Sequence, residues 1–236
     1  MRRFASSSLL VLLITFTAAA RADEDYSKPH NDPIDTYTHM NIAGWDVLVS
    51  ARYNGHDDVR EQVLAEVRCQ LHRVNLVVPA EPLKMMHGVK IFVEYNYPHR
   101  VQYHPNRQWL IEKGYIPEKT GTVEIANAEN LLSWRKTPIN SLLHELFHAY
   151  HDQVLGFDEP RIKAAYDAAK ASGKYDQVLL MNGRTVKHYA MTDHKEFFAE
   201  LSESYLWVND FYPFNRGELQ HFDPDTYKLL QDIWGK

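Results

Sequence analysis

The chain has 236 residues, of which 44% are hydrophobic, 12% aromatic and 24% charged. These values are typical of soluble globular domains, and they exclude disordered, collagen-like and coiled-coil chains. The 26 basic and 31 acidic residues leave a net charge of −5, and without a basic excess a nucleic-acid partner is not expected.

The first 22 residues have the features of a secretory signal peptide. Arg2 and Arg3 precede an apolar run from Leu9 to Ala20, which ends in a small-x-small cleavage site. Loss of Arg2, Arg3 and Arg21 changes the net charge from −5 to −8 and leaves residues 23–236, a length that one domain can fill. The alternative is an uncleaved anchor, although the run is short for a bilayer span. We expect a secreted or periplasmic protein with no stable membrane insertion after cleavage.

The first half of the chain predicts strands, one long helix and one long loop. The predicted strands are Trp45–Tyr53, Val89–Tyr95 and Thr122–Ala126. Asp57 or Asp58 can cap a helix in which Val59, Val63, Val67, Leu71 and Val74 recur at helical spacing. Residues 96–120 show little periodicity, and we expect an ordered loop with a functional role.

The second half predicts mainly helices. Helical patterns cover Ile139 to beyond His151, Pro160–Ala171 and Asp193–Val208, and a last one starts at Asp223-Pro224. Asn182-Gly183 lies between two short β-like runs and predicts a hairpin. Cys69 is the single cysteine, so no intrachain disulfide forms. We expect one domain over residues 23–236, with an N-terminal β/α lobe at about 39–135 and a C-terminal helical lobe at about 139–236.

Residues His144 to His148 read HELFH, which is the pattern H-E-x-x-H. Because residues four apart lie one helical turn above each other, His144 and His148 project from one face and can bind one zinc ion. Glu145 is rotated by about 100° and can face a bound water. The pattern also arises by chance in a chain rich in histidine, so a third ligand is needed to identify the kind of site.

His151 shares the predicted helix face but cannot readily supply that third ligand. It lies about 10.5 Å along the helix from His144, whereas two ligands of one zinc ion are separated by only about 4 Å. The metzincin pattern also fails, because it requires glycine where the chain has His151 and histidine where it has Val154. The third ligand must therefore come from another element.

The predicted helix that begins at Asp193 carries a stripe of carboxylates. Glu196, Glu200 and Glu203 follow the spacing i, i+4, i+7, which is also the spacing of the three histidines on the first helix. In one interpretation the glutamates form a solvated face and Glu196 belongs to an Asp193 cap. In the other, Glu196 binds zinc and Glu200 accepts a hydrogen bond from a ligand imidazole.

The segment Tyr189–Glu200, YAMTDHKEFFAE, together with the upstream HELFH, resembles the catalytic domain of anthrax lethal factor and related gluzincins, including the secreted bacterial Pro-Pro endopeptidases. The shared elements are H-E-x-x-H, a tyrosine seven residues before the third ligand, and E-F-F-A-E on the ligand helix. The resemblance covers mainly residues 139–208. It implies an α+β zincin-like fold, in which a small mixed sheet accompanies an active-site helix with HExxH and a second ligand-bearing helix.

The resemblance also implies a zinc metalloendopeptidase that acts on a peptide or protein substrate. It assigns zinc binding to His144, His148 and Glu196, the general-base role to Glu145, support of the oxyanion to Tyr189, and contact with a ligand imidazole to Glu200. In zincins generally, an edge strand aligns the extended substrate, and Thr122–Ala126 is the candidate for that strand.

Two other functions stay open at this point. One is a zinc-bound or metal-free binding protein that keeps the fold without turnover, although such a site does not need Glu145. The other is a maturation enzyme that acts on a single partner protein. His151 and Asp152 either bond the neighbouring helix or the side chains around the metal ligands, or they form an exposed pair at the helix end. We expect His188 and His194 to be loop residues that flank the site.

Overall fold

A five-stranded sheet forms one side of the molecule. The structure is a computed structural model that describes residues 32–235, without the side chains of Pro98 and His99, so the predicted signal peptide lies outside the described residues. The strands are β1 (Thr38–Ile42), β2 (Trp45–Val49), β3 (Ile91–Val93), β4 (Asn96–Tyr103) and β5 (Val123–Asn127). Their order is β1-β2-β3-β5-β4. Strands β2, β3 and β5 are parallel, and β1 and β4 pair antiparallel with their neighbours.

Nine helices accompany the sheet within residues 32–235. They are α1 (Asp57–Val77), α2 (Ala80–Met86), α3 (Arg107–Glu112), α4 (Ala128–Trp134), α5 (Ser141–Tyr150), α6 (Pro160–Ser172), α7 (His194–Leu206), α8 (Arg216–Phe222) and α9 (Pro224–Trp234). The predicted hairpin is also present, as β6 (Val178–Leu179) paired antiparallel with β7 (Thr185–Val186). None of the described helices is both long and apolar enough to cross a membrane.

The two faces of the sheet are covered differently. On one face, Val47, Val49, Ile91 and Val93 share a core with α1, α5 and α7, and this core continues to Trp234 near the end of the chain. The predicted apolar positions of α1 supply part of it, since Val63, Val67, Leu71 and Val74 are fully buried. On the other face, Leu48 and Phe92 pack with Tyr37. Strands that are buried on both faces explain the nearly continuous apolar runs in β2 and β3.

The α+β class is confirmed, but two predictions about the sheet are wrong. Residues 96–120 do not form one long loop, because they contain strand β4, helix α3 and a 3₁₀ turn at Pro117–Lys119. Thr122–Ala126 is not an edge strand, because β5 lies between β3 and β4. The edge strand beside the helices is β4.

The helix predicted from Ile139 is shorter than expected. Helix α5 ends at Tyr150, and a single π-helical turn follows at His151–Leu155. Gly156, with a φ of +79°, ends this turn, because its missing Cβ allows the positive angle. His151 is the first residue of this turn and keeps helical backbone angles, with φ of −57° and ψ of −47°.

Candidate metal centre

Helix α5 presents His144 and His148 toward α7. Its first turn is capped by Asn140, whose side-chain oxygen accepts a hydrogen bond from the Leu143 N–H at 3.0 Å. Most of α5 is buried, and it packs against α7 and against strands β4 and β5. The two imidazoles therefore project from the buried helix into the space beside the edge strand.

Helix α7 begins at the predicted cap. The Asp193 side chain accepts hydrogen bonds from the N–H groups of Lys195 and Glu196, at 2.8 and 3.0 Å. The backbone of Glu196 thus belongs to the cap, while its carboxylate turns toward α5. The cap and the carboxylate directed at the histidines therefore occur together. The alternative of a solvated glutamate face is wrong, because Glu200 and Glu203 are buried.

The side chains of His144, His148 and Glu196 meet in a compact triangle. The His144 and His148 Nε2 atoms are 3.1 Å apart, and they lie 3.1 and 3.3 Å from Glu196 Oε2. Ligand atoms bonded to one tetrahedral zinc ion are separated by about 3.4 Å. Two imidazole nitrogens and one carboxylate oxygen are also a donor set that zinc prefers. The three residues therefore fit a metal ion of this kind.

The ionisation state of Glu196 also favours metal binding. Burial opposes the charge on Glu196, but hydrogen bonds to His144 and His148 outweigh it and lower the pKa of Glu196 below its usual range. The carboxylate is thus held in the ionised form that a metal ion requires.

The other ring nitrogen of His144 faces two carboxylates. His144 Nδ1 lies 3.5 Å from Glu200 Oε1 and 3.4 Å from Glu203 Oε1. Burial, followed by the charge on Glu203, raises the pKa of Glu200 to about 8. Glu200 is thus near the His144 imidazole, where the sequence placed it. Glu203 is slightly closer to His144 Nδ1 than Glu200 is. Its i+7 spacing placed it on the same stripe, but no individual role was predicted for it.

Glu145 lies on the edge-strand side of the triangle. Its Oε2 accepts a hydrogen bond of 2.7 Å from the backbone N–H of Tyr103, the last residue of β4. Burial raises the pKa of Glu145, against the opposing effects of His148, His144 and the Tyr103 N–H. A raised pKa is typical of carboxylates that take up and release a proton during catalysis.

Tyr189 stands at the open side of the site. Its hydroxyl is 3.5 Å from Glu196 Oε1, and its side chain is 47% exposed. Tyr189 begins a 3₁₀ turn, Tyr189–Met191, that leads into the cap of α7. The hydroxyl can therefore reach a molecule bound next to the triangle.

A cleft of about 780 Å³ contains these groups. Residues Arg100–Tyr103 of β4 line one side of the cleft, and the triangle, Glu145 and Tyr189 line the other. Its remaining walls include Trp134, Ile139, Phe157, Asp210 and Phe211. Charged groups and apolar rings thus line the same cleft, together with residues of the edge strand β4.

Three other histidines near the site lie outside the triangle. His194 Nε2 bonds the Phe157 carbonyl oxygen at 2.8 Å. His188 is buried, and its ring is stacked on Phe211 at 4.9 Å. His188 is a loop residue, as expected, but its buried ring does not line the cleft, and its Nδ1 accepts the Ala190 N–H. His194 is the first residue of α7, so the expectation that it lies in a loop is wrong.

His151 is fully buried, so the alternative of an exposed pair with Asp152 is also wrong. The ring lies among Phe157 and Phe198, with centroid distances of 5.1 and 4.8 Å. Neither ring nitrogen has a hydrogen-bond partner among the described residues. Burial, reinforced by the His148 charge, lowers the pKa of His151 to about 3.

This burial predicts an acid-sensitive fold. His151 stays neutral in the folded chain down to about pH 3, whereas it gains a proton in the unfolded chain below about pH 6.5. Stability is therefore unaffected by this group above pH 6.5 and is lost as the pH falls below that value. Between pH 7.5 and 5, His151 should cost about 1–2 kcal/mol of unfolding free energy.

Urea unfolding of wild type and His151→Phe at the two pH values measures this loss. The variant should lose correspondingly less stability between pH 7.5 and 5, because phenylalanine does not titrate. His72→Gln, at an exposed histidine, should behave as wild type. Equal losses in wild type and His151→Phe would show that His151 is not the group responsible.

Comparisons with protein-family models, with curated proteins and with solved structures found no match to this chain. The resemblance of the HELFH and EFFAE segments to gluzincins therefore stays a prediction, and the proposals below depend on the geometry of the site.

Proposed function

We propose that this chain is an exported zinc-dependent metalloendopeptidase of the gluzincin type, with a zincin-like fold. The observation that carries the proposal is the triangle of His144, His148 and Glu196, with Glu145 beside it in the same cleft. A purely structural zinc site has no use for a half-buried carboxylate that is not a ligand, such as Glu145.

His144, His148 and Glu196 would hold the zinc ion, and their two helices are fixed against each other by the buried core. When bound, zinc supplies a Lewis acid that acidifies water and polarises a peptide carbonyl. A site with three protein ligands leaves a position for water or substrate, as catalytic zinc sites require.

Glu145 acts as the general base. The Tyr103 N–H engages Oε2, which fixes the orientation of the carboxylate and leaves Oε1 to accept a proton from the attacking water. The protonated carboxyl then delivers this proton to the nitrogen of the leaving amine. A carboxyl group with a raised pKa is suited to both steps.

Tyr189 supports the negative charge that develops on the carbonyl oxygen. Its hydroxyl is exposed to the cleft and lies beside Glu196, so it can donate a hydrogen bond to an oxygen near the triangle. Donors that are already in place where charge develops stabilise the transition state.

Strand β4 provides the surface along which an extended substrate can lie. The Tyr103 N–H points away from β5, because it binds Glu145. The backbone of Val101, two residues earlier, points in the same direction and lines the cleft. A substrate segment can thus pair with the outer edge of β4 and pass next to Glu145.

Digestion of casein and of a peptide library tests the proposed activity. The zinc-loaded protein should cleave internal bonds, lose this activity after chelation, and recover it when zinc is returned. Cleavage that persists without zinc, or a zinc-loaded protein that cleaves neither substrate, would contradict a general zinc endopeptidase.

A further inference from the structure

Asn209, just beyond the end of α7, connects the two carboxylates that face His144. It is 3% exposed. Its amide nitrogen Nδ2 lies 3.0 Å from Glu200 Oε2, 3.1 Å from Glu203 Oε2 and 2.9 Å from the Glu200 carbonyl oxygen. Each glutamate therefore directs one oxygen at Asn209 and the other at His144 Nδ1.

The chemistry of its neighbours determines the orientation of this amide. Every group near Nδ2 is an acceptor, while Oδ1 accepts the backbone N–H of Phe211 at 2.6 Å. The reversed amide would place oxygen against three oxygens and NH₂ against an N–H. Asparagine thus matches the position, whereas aspartate, of nearly the same shape, does not.

The carboxylate pair depends on this donor. Two adjacent buried carboxyl groups repel each other when both are ionised, and each needs hydrogen bonds to stay in place. His188 Nδ1 lies 3.8 Å from Glu200 Oε2, but it accepts the Ala190 N–H and so cannot donate to the glutamate. Among the described residues, Asn209 and His144 are therefore the side chains whose N–H groups approach both carboxylates.

We propose that Asn209 is a positioning residue that holds Glu200 and Glu203 against His144 Nδ1 and thereby orients His144 for metal binding. This inference rests on the proposed metal site. Partners of a ligand imidazole fix its tautomer and ring orientation, and their loss typically weakens metal binding by about 10- to 100-fold. Through its bond to the Phe211 N–H, the same side chain also holds the cleft wall that Phe211 forms.

The direct test is the zinc affinity of wild type, Asn209→Ala and Asn209→Asp, measured by competition with a chromophoric chelator. We expect a loss of about 10- to 100-fold, larger for Asn209→Asp because it places a third acceptor against the pair. Asn75→Asp is the matched control, since the Asn75 side-chain amide also donates to a backbone carbonyl oxygen, that of Ala43, but Asn75 does not line the cleft. It should bind zinc as wild type does.

A second substitution distinguishes positioning from a general structural role. Combining Asn209→Asp with Glu203→Gln exchanges the donor and the acceptor, so that the glutamine amide can donate to the new carboxylate. This double variant should recover part of the zinc affinity that Asn209→Asp loses. Circular dichroism of the zinc-free proteins shows whether each variant folds. If Asn209→Asp alone does not fold, the double variant can still be compared with wild type.

The outcomes separate this inference from the proposed function. If wild type binds zinc and the folded Asn209 variants bind it equally well, the positioning role is wrong and the metal site stands. If the double variant binds zinc no better than Asn209→Asp, the donor–acceptor account is wrong. If wild type itself binds no zinc, both the inference and the proposed function are wrong.

Discussion

Glu145→Gln is expected to lower kcat/KM for peptide cleavage by about 10²- to 10⁴-fold, which is the usual contribution of a general base. Glutamine has almost the same shape, and its amide oxygen can still accept the Tyr103 N–H. It cannot take a proton from water at neutral pH. Because Glu145 is not one of the three residues of the triangle, zinc binding should stay close to that of wild type.

The measurement is kcat/KM on the best peptide from the library, together with the zinc content of each sample. Glu129→Gln, an exposed position on α4, serves as the matched control and should retain full activity. If Glu145→Gln were as active as wild type, either another group is the base or the activity belongs to a contaminant.

Lys119→Met is expected to have the largest effect on stability, a loss of about 3–5 kcal/mol. Lys119 is completely buried on the sheet face opposite α5. Its ammonium group bonds Glu94 Oε1 at 2.8 Å and also bonds Glu124 Oε1. Removing the cation leaves two buried carboxylates without a counter-charge, and their desolvation is then uncompensated.

Urea unfolding of wild type and Lys119→Met measures this loss, with Lys136→Met, at an exposed lysine, as the control. The triple substitution Lys119→Met, Glu94→Leu and Glu124→Leu should recover much of the stability, since apolar replacement of a complete buried ion cluster is often neutral. If Lys119→Met changed the free energy of unfolding by less than about 1 kcal/mol, other groups would have to stabilise the two buried carboxylates.

The buried ion cluster also bears on the cleft. Glu124 Oε2 accepts a hydrogen bond from Gln102 at 3.0 Å and lies 2.8 Å from His104 Nε2, so the cluster ties β4 and the residue after it to β5. The edge strand that lines the cleft is thus anchored from the opposite face of the sheet. Activity in Lys119→Met should accordingly fall together with stability.

The sequence was most informative where local rules decide the structure. Helical spacing identified α1, the Asp193 side chain marked the start of α7, and Asn182-Gly183 marked the hairpin, because caps and turns act through neighbouring residues. The three residues of the triangle could be predicted for the same reason, since His144 and His148 lie one turn apart and Glu196 belongs to a regular stripe on its own helix.

The sequence was misleading where pairing is long-range. Strand β4 contains Pro98 and Arg100, and its pairing with β5 is irregular between Asn96 and Val101. An edge strand tolerates such residues because only one side of it is bonded, so it lacks the alternation of a typical strand. No local sequence pattern indicates that β5 lies between β3 and β4 in the sheet.

The residues around the triangle also could not be predicted from the sequence. Asn209 acts through contacts with Glu200 and Glu203 that exist only after the chain turns back beyond α7, and an asparagine in a loop has no distinctive pattern. His151 faces α7, as His144 does, but its ring lies against Phe198 in the aromatic core, and helical spacing alone does not reveal this burial.

The central claim is that Glu196 completes a three-ligand metal site with His144 and His148. Its most direct test is the zinc stoichiometry of the purified protein, wild type beside Glu196→Ala, after dialysis against a weak chelator. Wild type should retain about one zinc per chain, and Glu196→Ala should lose it, because removing a ligand costs at least the 10- to 100-fold in affinity that loss of a ligand's partner costs. Equal zinc content in the two proteins would contradict the account, and Glu196 would then be only part of the α7 cap.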